Sequence, residues 1–215
     1  MGFEYKVFDN VSSILKDDLQ VEIKSNSKLS IAAAYFSIYA FEELKKQLKD
    51  IDELRFIFTS PTFITEKTPK EKREFYIPRL AREKSIYGTE FEVKLRNELT
   101  QKAIAKECAD WIKEKVQFKS NKTGQVIPGL INIENKDESC SYYPVNGFTT
   151  VDLGCDRGNN CFCFINKFEA PLSQRYIKSF NEIWNDKGQL QDVTQELIDS
   201  ITAVYAENSP EFIYF

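Results

Sequence analysis

The sequence predicts an α/β fold: a mixed, largely parallel β-sheet flanked by helices, in one domain spanning residues 1–215. Three observations carry this. Residues 28–59 read strand, helix, strand, the order of a crossover unit that lays two strands side by side in parallel. Apolar residues recur at helical spacing in four further stretches, separated by short apolar runs of strand length. A chain of 215 residues with 42% hydrophobic, 13% aromatic and 29% charged content can bury one substantial core and is not compositionally disordered.

The elements follow in order. Residues 10–26 place Val11, Ile14, Leu15 and Leu19 at helical spacing behind an Asn/Ser capping cluster, which predicts an amphipathic helix. The run KLSIAAAYF (28–36) is almost wholly apolar, as expected of a strand covered on both faces. Ser37 is placed to cap a helix through Asp50, with Phe41, Leu44 and Leu48 inward and Lys45, Lys46 and Lys49 outward. LRFIFT (54–59) is a second buried strand. The longest helical stretch, 89–116, sets Phe91, Leu95, Leu99, Ala103, Cys108, Trp111 and Ile112 on one stripe, and VQFKSN (116–121) alternates as a strand. A helix from Pro171 to Trp184 presents Leu172, Tyr176, Ile177, Phe180 and Ile183 inward, with proline in the first turn. Asp192 with Gln195 predicts a capping box for a last helix over 193–208.

Between them lies the stretch 125–166, QVIPGLINIENKDESCSYYPVNGFTTVDLGCDRGNNCFCFIN. Its two apolar runs, 126–133 and 161–165, predict two strand segments, and the polar Gly-, Asn- and Tyr-rich residues between them predict a site-forming loop.

VIPGLINIE followed by VNGFTTVDLG resembles the signature of phospholipase D-like phosphodiesterases, in which a strand carries His-x-Lys and a later turn carries a Ser-Asn-like pair. On that resemblance Pro128 stands at the histidine position and Leu130 at the lysine, and Asn146, Gly147, Phe148 and Thr149 fall on the turn. The family's histidine attacks phosphorus and its lysine balances charge on the equatorial oxygens. Proline offers no nucleophile, leucine carries no charge, and the chain has no histidine in any register. The resemblance therefore implies a degenerate site with no catalytic residue of the family's kind. KLSIAAAYFSIYAFEELKKQL, KLRNELTQKAIAKECADWIKEKV, FNEIWNDKGQLQDVT and NSPEFIYF further resemble the N-terminal phospholipase D-like region of bacterial superfamily-two helicases of the Swi/Snf type. That implies an excised piece of a larger polypeptide whose motor uses ATP and Mg; the chain itself has no Walker pattern and is expected to hold no cofactor.

Net charge is −4, so sequence-independent nucleic-acid binding must come from a local patch. Residues 66–84 supply one: Lys67, Lys70, Lys72, Arg73, Arg79, Arg82 and Lys84 stand against Glu66, Glu71, Glu74 and Glu83, with Phe75 and Tyr76 among them. Basic residues interleaved with aromatics can track phosphates and stack bases; the same pattern also makes a solvated, internally paired surface. Cys108, Cys140, Cys155, Cys161 and Cys163 lack the paired-knuckle spacing of a zinc site and read as reduced core thiols of a cytoplasmic protein, with no metal. No run of about 20 apolar residues predicts a membrane span. The expected function is a non-catalytic accessory domain docking DNA or a partner beside a helicase motor. The alternatives are a phosphodiesterase with altered chemistry at Asp152, Cys155, Asp156 and Arg157, and a homodimerisation module.

Overall fold

The structure, a computed structural model, describes residues 6–60, 90–155 and 164–206, with side chains of the third helix described from Gln101 onward. In chain order the elements are β1 (Lys6–Phe8), α1 (Leu15–Glu22), β2 (Lys28–Ala33), α2 (Ile38–Leu48), β3 (Glu53–Phe58), α3 (Glu90–Lys115), β4 (Val116–Asn121), β5 (Leu130–Glu134), β6 (Ser139–Tyr143), β7 (Ile165–Glu169), α4 (Leu172–Trp184), β8 (Leu190–Asp192) and α5 (Thr194–Ala206). The strands form one mixed sheet in the order β1-β7-β6-β5-β2-β3-β4-β8.

Among the described strands, β2 with β3 and β3 with β4 pair in parallel, where a helix returns the chain to the same end of the sheet. The other pairings are antiparallel, which corrects the expectation of a largely parallel sheet. The reason is connection length. Only four residues join β5 to β6, too few for a crossover, so that pair must form a hairpin. β1, β6 and the short β8 were not expected at all. SCSYY and LQD are polar enough to read as loop, and β6 occupies part of the stretch assigned to a site-forming loop.

The two sheet faces differ. α1, α2, α3 and α5 cover one face over a core containing Leu29, Ile31, Phe56, Phe118, Ile131 and Ile133. α4 lies on the other, burying Phe180 and Trp184 against Ala32, Ile57 and Leu130. Residues 28–33 are thus apolar on the four-helix face, while Lys28, Ser30 and Ala32 point to the α4 face. Both-face coverage holds for Ala32 and Ser30 but fails at Lys28, which is exposed.

Local chemistry explains where the helices begin. α1 starts at Leu15, later than the expected residue 11, because Asp9 Oδ1 accepts the N–H groups of Val11, Ser12 and Ser13 at 2.8–3.0 Å and holds a turn. Asn10 then accepts Leu15 N–H at 2.9 Å. Val11, expected inward, is exposed. Ser37 does cap α2, accepting Tyr39 N–H at 3.2 Å, and Phe41, Leu44 and Leu48 are fully buried. In α3 the buried stripe is Ala105, Cys108, Ala109, Trp111 and Ile112, and Ala103 points outward. In α4, Ile177 and Phe180 are buried as expected, whereas Leu172 is exposed. Asp192 accepts Thr194 N–H, but Gln195 bonds forward to Asp199, so half of the expected capping box forms.

Candidate functional site

One end of the sheet gathers the positions that the sequence singled out. β2 ends there, β5 begins there, and the antiparallel partners place the end of β6 and the start of β7 on the same side. The loop 127–130 and the turn 144–149 meet at this end, backbone to backbone. Val145 N–H donates to the Gly129 carbonyl at 3.0 Å, and a Cβ built on Gly129 would stand 1.9 Å from the Val145 carbonyl oxygen. Glycine is required there by that approach. The turn is pinned to the loop after β2 as well: Ala34 N–H donates to Asn146 O at 2.9 Å, Phe148 N–H to Tyr35 O at 2.8 Å, and Ser37 N–H to Phe148 O at 3.0 Å. Phe148 is buried and stacks on Phe36, which meets Phe56 and Phe118 edge-on in the core.

Pro128, Leu130 and Asn146, the positions that the resemblance singles out, do not form a pocket together. Pro128 and Asn146 are exposed. Leu130 is 6% exposed and packs with Ala32, Ile57, Ile127, Phe180 and Trp184 under α4. A charged group at residue 130 would lie in an apolar cluster, where desolvation disfavours it. Asn121, at the end of β4, ties this end further, donating to Thr59 O and Gln125 O and accepting from Thr123.

Of the alternative chemical candidates, Asp152 and Cys155 are described. Asp152 Oδ2 accepts the Thr149 hydroxyl at 2.5 Å and sits where a Cβ on Gly147 would stand, 2.4 Å away, so it closes the turn on itself. Cys155 is half-buried against the core and its N–H donates to Thr150 O. Asp156, Arg157, Cys161 and Cys163 lie outside the described residues, as does the whole basic set Lys67, Lys70, Lys72, Arg73, Arg79 and Arg82; β3, which precedes that set, ends on the same side as the motif turn. Among the described residues no group of His, Cys, Asp and Glu is arranged to hold a metal. Cys140 is a core thiol, and burial pushes its pKa up to about 12, far from reactive thiolate.

Two polar assemblies were not foreseen. Under α1, Asp18 accepts from Lys6, from Lys167 at 3.1 Å and from the Tyr142 hydroxyl at 2.7 Å, while Lys167 also meets Glu22 at 2.8 Å. Burial alone would raise the Asp18 pKa, but hydrogen bonds from Lys6, Tyr142 and Lys167 outweigh it and hold the carboxyl below its ordinary value. On the α4 face, Ser141, Asn132, Ser30 and Arg55 form one cross-strand row. Alternation in β2 and β5, with Lys28 and Ser30 opposite Glu134 and Asn132, was the signal that could have exposed this row.

The fold and this end of the sheet define a mixed α/β domain in which the loop at Gly129 closes, main chain to main chain, on the turn at Val145. No family model matches the chain, and no curated protein matches it. Among solved structures it is similar to phosphatidylserine synthase from Haemophilus influenzae Rd KW20, at 10% identity and a TM-score of 0.47, over 94% of this chain. The chain spans 43% of that protein's length.

Proposed function

We propose that this chain is a non-catalytic phospholipase D-like domain that docks nucleic acid or a partner protein for a helicase-type motor. The observation that supports it best is the state of the first motif. Pro128 has no nucleophile, Leu130 is packed into an apolar cluster, and Gly129 is closed against Val145, in a sequence without histidine. What such a domain offers is shape and surface. The basic stretch from Lys67 to Arg82 is the nucleic-acid candidate, and its phosphate contacts would release counterions.

The test is fluorescence anisotropy of the 215-residue chain with labelled single- and double-stranded DNA across a salt series. Binding should weaken as salt rises, and neutralising Lys70, Lys72, Arg73 and Arg79 together should flatten the salt slope by about 3. Binding indifferent to both salt and these substitutions would remove the nucleic-acid role. Turnover of a phosphodiester substrate, abolished by Asp152→Ala, would replace the whole reading with altered chemistry.

A second reading, an assembly module, is favoured by exposed apolar side chains at the motif end of the sheet: Val11, Tyr35, Val126 and Phe164. Light scattering decides it. A stable dimer that dissociates on Tyr35→Ser with Val126→Ser, without DNA binding, would favour assembly over nucleic-acid docking.

A further inference from the structure

The turn at the motif end carries a covalent reaction that its own residues can run. Asn146 and Gly147 are the one Asn-Gly pair in the sequence. Asn146 is exposed, and among the described contacts neither its side-chain amide nor the Gly147 N–H makes a hydrogen bond. The nitrogen of the residue after an asparagine is one five-membered ring away from attack on the side-chain carbonyl, and glycine, without a Cβ, shields that nitrogen least. The fold holds glycine at this position for a separate reason: a Cβ there would stand 2.4 Å from Asp152 Oδ2. Closure of the turn on Asp152 therefore fixes the residue type that leaves Asn146 labile.

The closed turn keeps the two groups apart. Asn146 O accepts Ala34 N–H at 2.9 Å, and Phe148 N–H donates to Tyr35 O at 2.8 Å, so the main chain on both sides of the 146–147 bond is tied to the loop after β2. Swinging the Gly147 nitrogen onto Asn146 Cγ requires rotation about the Asn146 Cα–C bond, which carries the Asn146 carbonyl away from Ala34. The reaction thus runs from the opened turn, and the open population sets its rate.

We propose that Asn146 is a self-modification site, at which the opened turn deamidates to isoaspartate and no longer closes. The Gly147 nitrogen gives its proton to hydroxide and bonds to Asn146 Cγ; the Cγ–Nδ2 bond breaks, and Nδ2 leaves as ammonia with a proton from water. Water then opens the ring. Attack at Cγ returns Gly147 to the main-chain carbonyl and gives aspartate; attack at the main-chain carbonyl leaves Gly147 on Cγ and gives isoaspartate. Isoaspartate lengthens the main chain by one carbon, about 1.5 Å. The bonds to Ala34 and Tyr35 cannot both absorb that, because Phe148 is fixed in the core, 1% exposed and stacked on Phe36. The proposal is independent of the docking reading.

The experiment incubates the 215-residue chain at mildly alkaline pH, native and in urea, and reads isoaspartate at residue 146 by peptide mapping together with released ammonia. The native chain should convert at this residue, more slowly than the unfolded chain, at a rate that rises in proportion to hydroxide. Asp152→Ala, which releases the Thr149 hydroxyl, should speed native conversion and leave the rate in urea unchanged. Adding Gly147→Ala to Asp152→Ala places a methyl where the carboxylate was and should slow conversion severalfold. In the converted protein the Ala34 and Phe148 amides should lose protection from hydrogen exchange. Asn146→Asp, which adds the charge without the extra carbon, should keep it. A native chain that stays unmodified while the unfolded chain converts, native conversion as fast as in urea, or an isoaspartyl protein with Ala34 and Phe148 still protected would each overturn the assignment.

Discussion

Gly129 and Gly147 show how differently two glycines at one end of the sheet can be constrained. At Gly129 the obstacle to a Cβ is the Val145 main-chain carbonyl at 1.9 Å, with the Ala32 carbonyl oxygen 3.2 Å away on β2. Neither can move without parting the loop from the turn, so Gly129→Ala should cost about 3 kcal/mol, the upper end for overpacking. At Gly147 the obstacle is Asp152 Oδ2, the far end of a side chain that can rotate at the expense of its bond to Thr149. Gly147→Ala should cost about 1 kcal/mol, and much less when combined with Asp152→Ala, because the two changes share one contact. Urea denaturation of the three variants measures this ordering. Equal losses at both glycines would mean that the main-chain approach at Gly129 does not bear on stability. Resemblance to a family brought Gly147 to notice and the structure alone brought Gly129, and only their neighbours separate a rigid contact from a yielding one.

Among the elements, α1 is fixed to the sheet by charge as much as by its apolar stripe. Asp18 and Lys167 have side chains 5% and 8% exposed, and Tyr142, Lys6, Glu22 and Cys140 face them from β6, β1 and α1. Removing the Asp18 charge leaves buried Lys167 with Glu22 as its remaining counter-charge and the Tyr142 hydroxyl without its carboxylate acceptor, so Asp18→Asn should cost about 3 kcal/mol at neutral pH. The pH dependence follows from the direction of the shifts. Asp18 is held below its ordinary pKa, so its contribution is complete above the unfolded value of about 4 and is lost as pH falls through the depressed folded value. For Lys167 burial lowers the pKa, but bonds to Glu22 and Asp18 more than offset this and raise it; its contribution is complete below about 10.4 and fades as pH rises through the folded value. Chemical denaturation from neutral to acid pH should therefore show wild type and Asp18→Asn converging below about pH 4. A gap that stays constant through the acid range would assign the loss to packing. None of this cluster was legible beforehand. Asp18 and Lys167 are far apart in sequence, and a charged residue reads as solvated until its partners are placed. The helices were more legible: α2 and α4 have strong apolar periodicity, and Ser37 announces its cap. β6 and β8 were hidden because pairing in the sheet, rather than their own composition, makes them strands.

Among the described residues, the decisive asymmetry is four helices on one sheet face and one on the other. The strands that bury apolar side chains on both faces are β2, β3 and β5, where Ile31, Phe56, Ile57 and Ile131 are 0–1% exposed. β4 adds Phe118, also fully buried, while Gln117 on its α4 side is exposed. β1 and β8 are three-residue edge strands, each hydrogen-bonded to a single neighbour. Opening an edge exposes little apolar surface, whereas freeing β3 disrupts both clusters and its parallel partners on either side. Local stability should therefore rise from the edges inward. Native-state hydrogen exchange is the measurement: amides of Lys6–Phe8 and Leu190–Asp192 should exchange by local opening at low denaturant, with little denaturant dependence. Amides of Ile31, Phe56, Ile57 and Ile131 should exchange only through global unfolding, with the full slope. The α1 cluster adds a second expectation at β1, because Lys6 joins that edge to Asp18. Asp18→Asn should loosen β1 selectively and leave β8 unchanged. Protection at β1 as high as at β3 would mean that its edge position does not set its stability, and equal loosening of β1 and β8 would mean that the charge cluster acts on the fold globally.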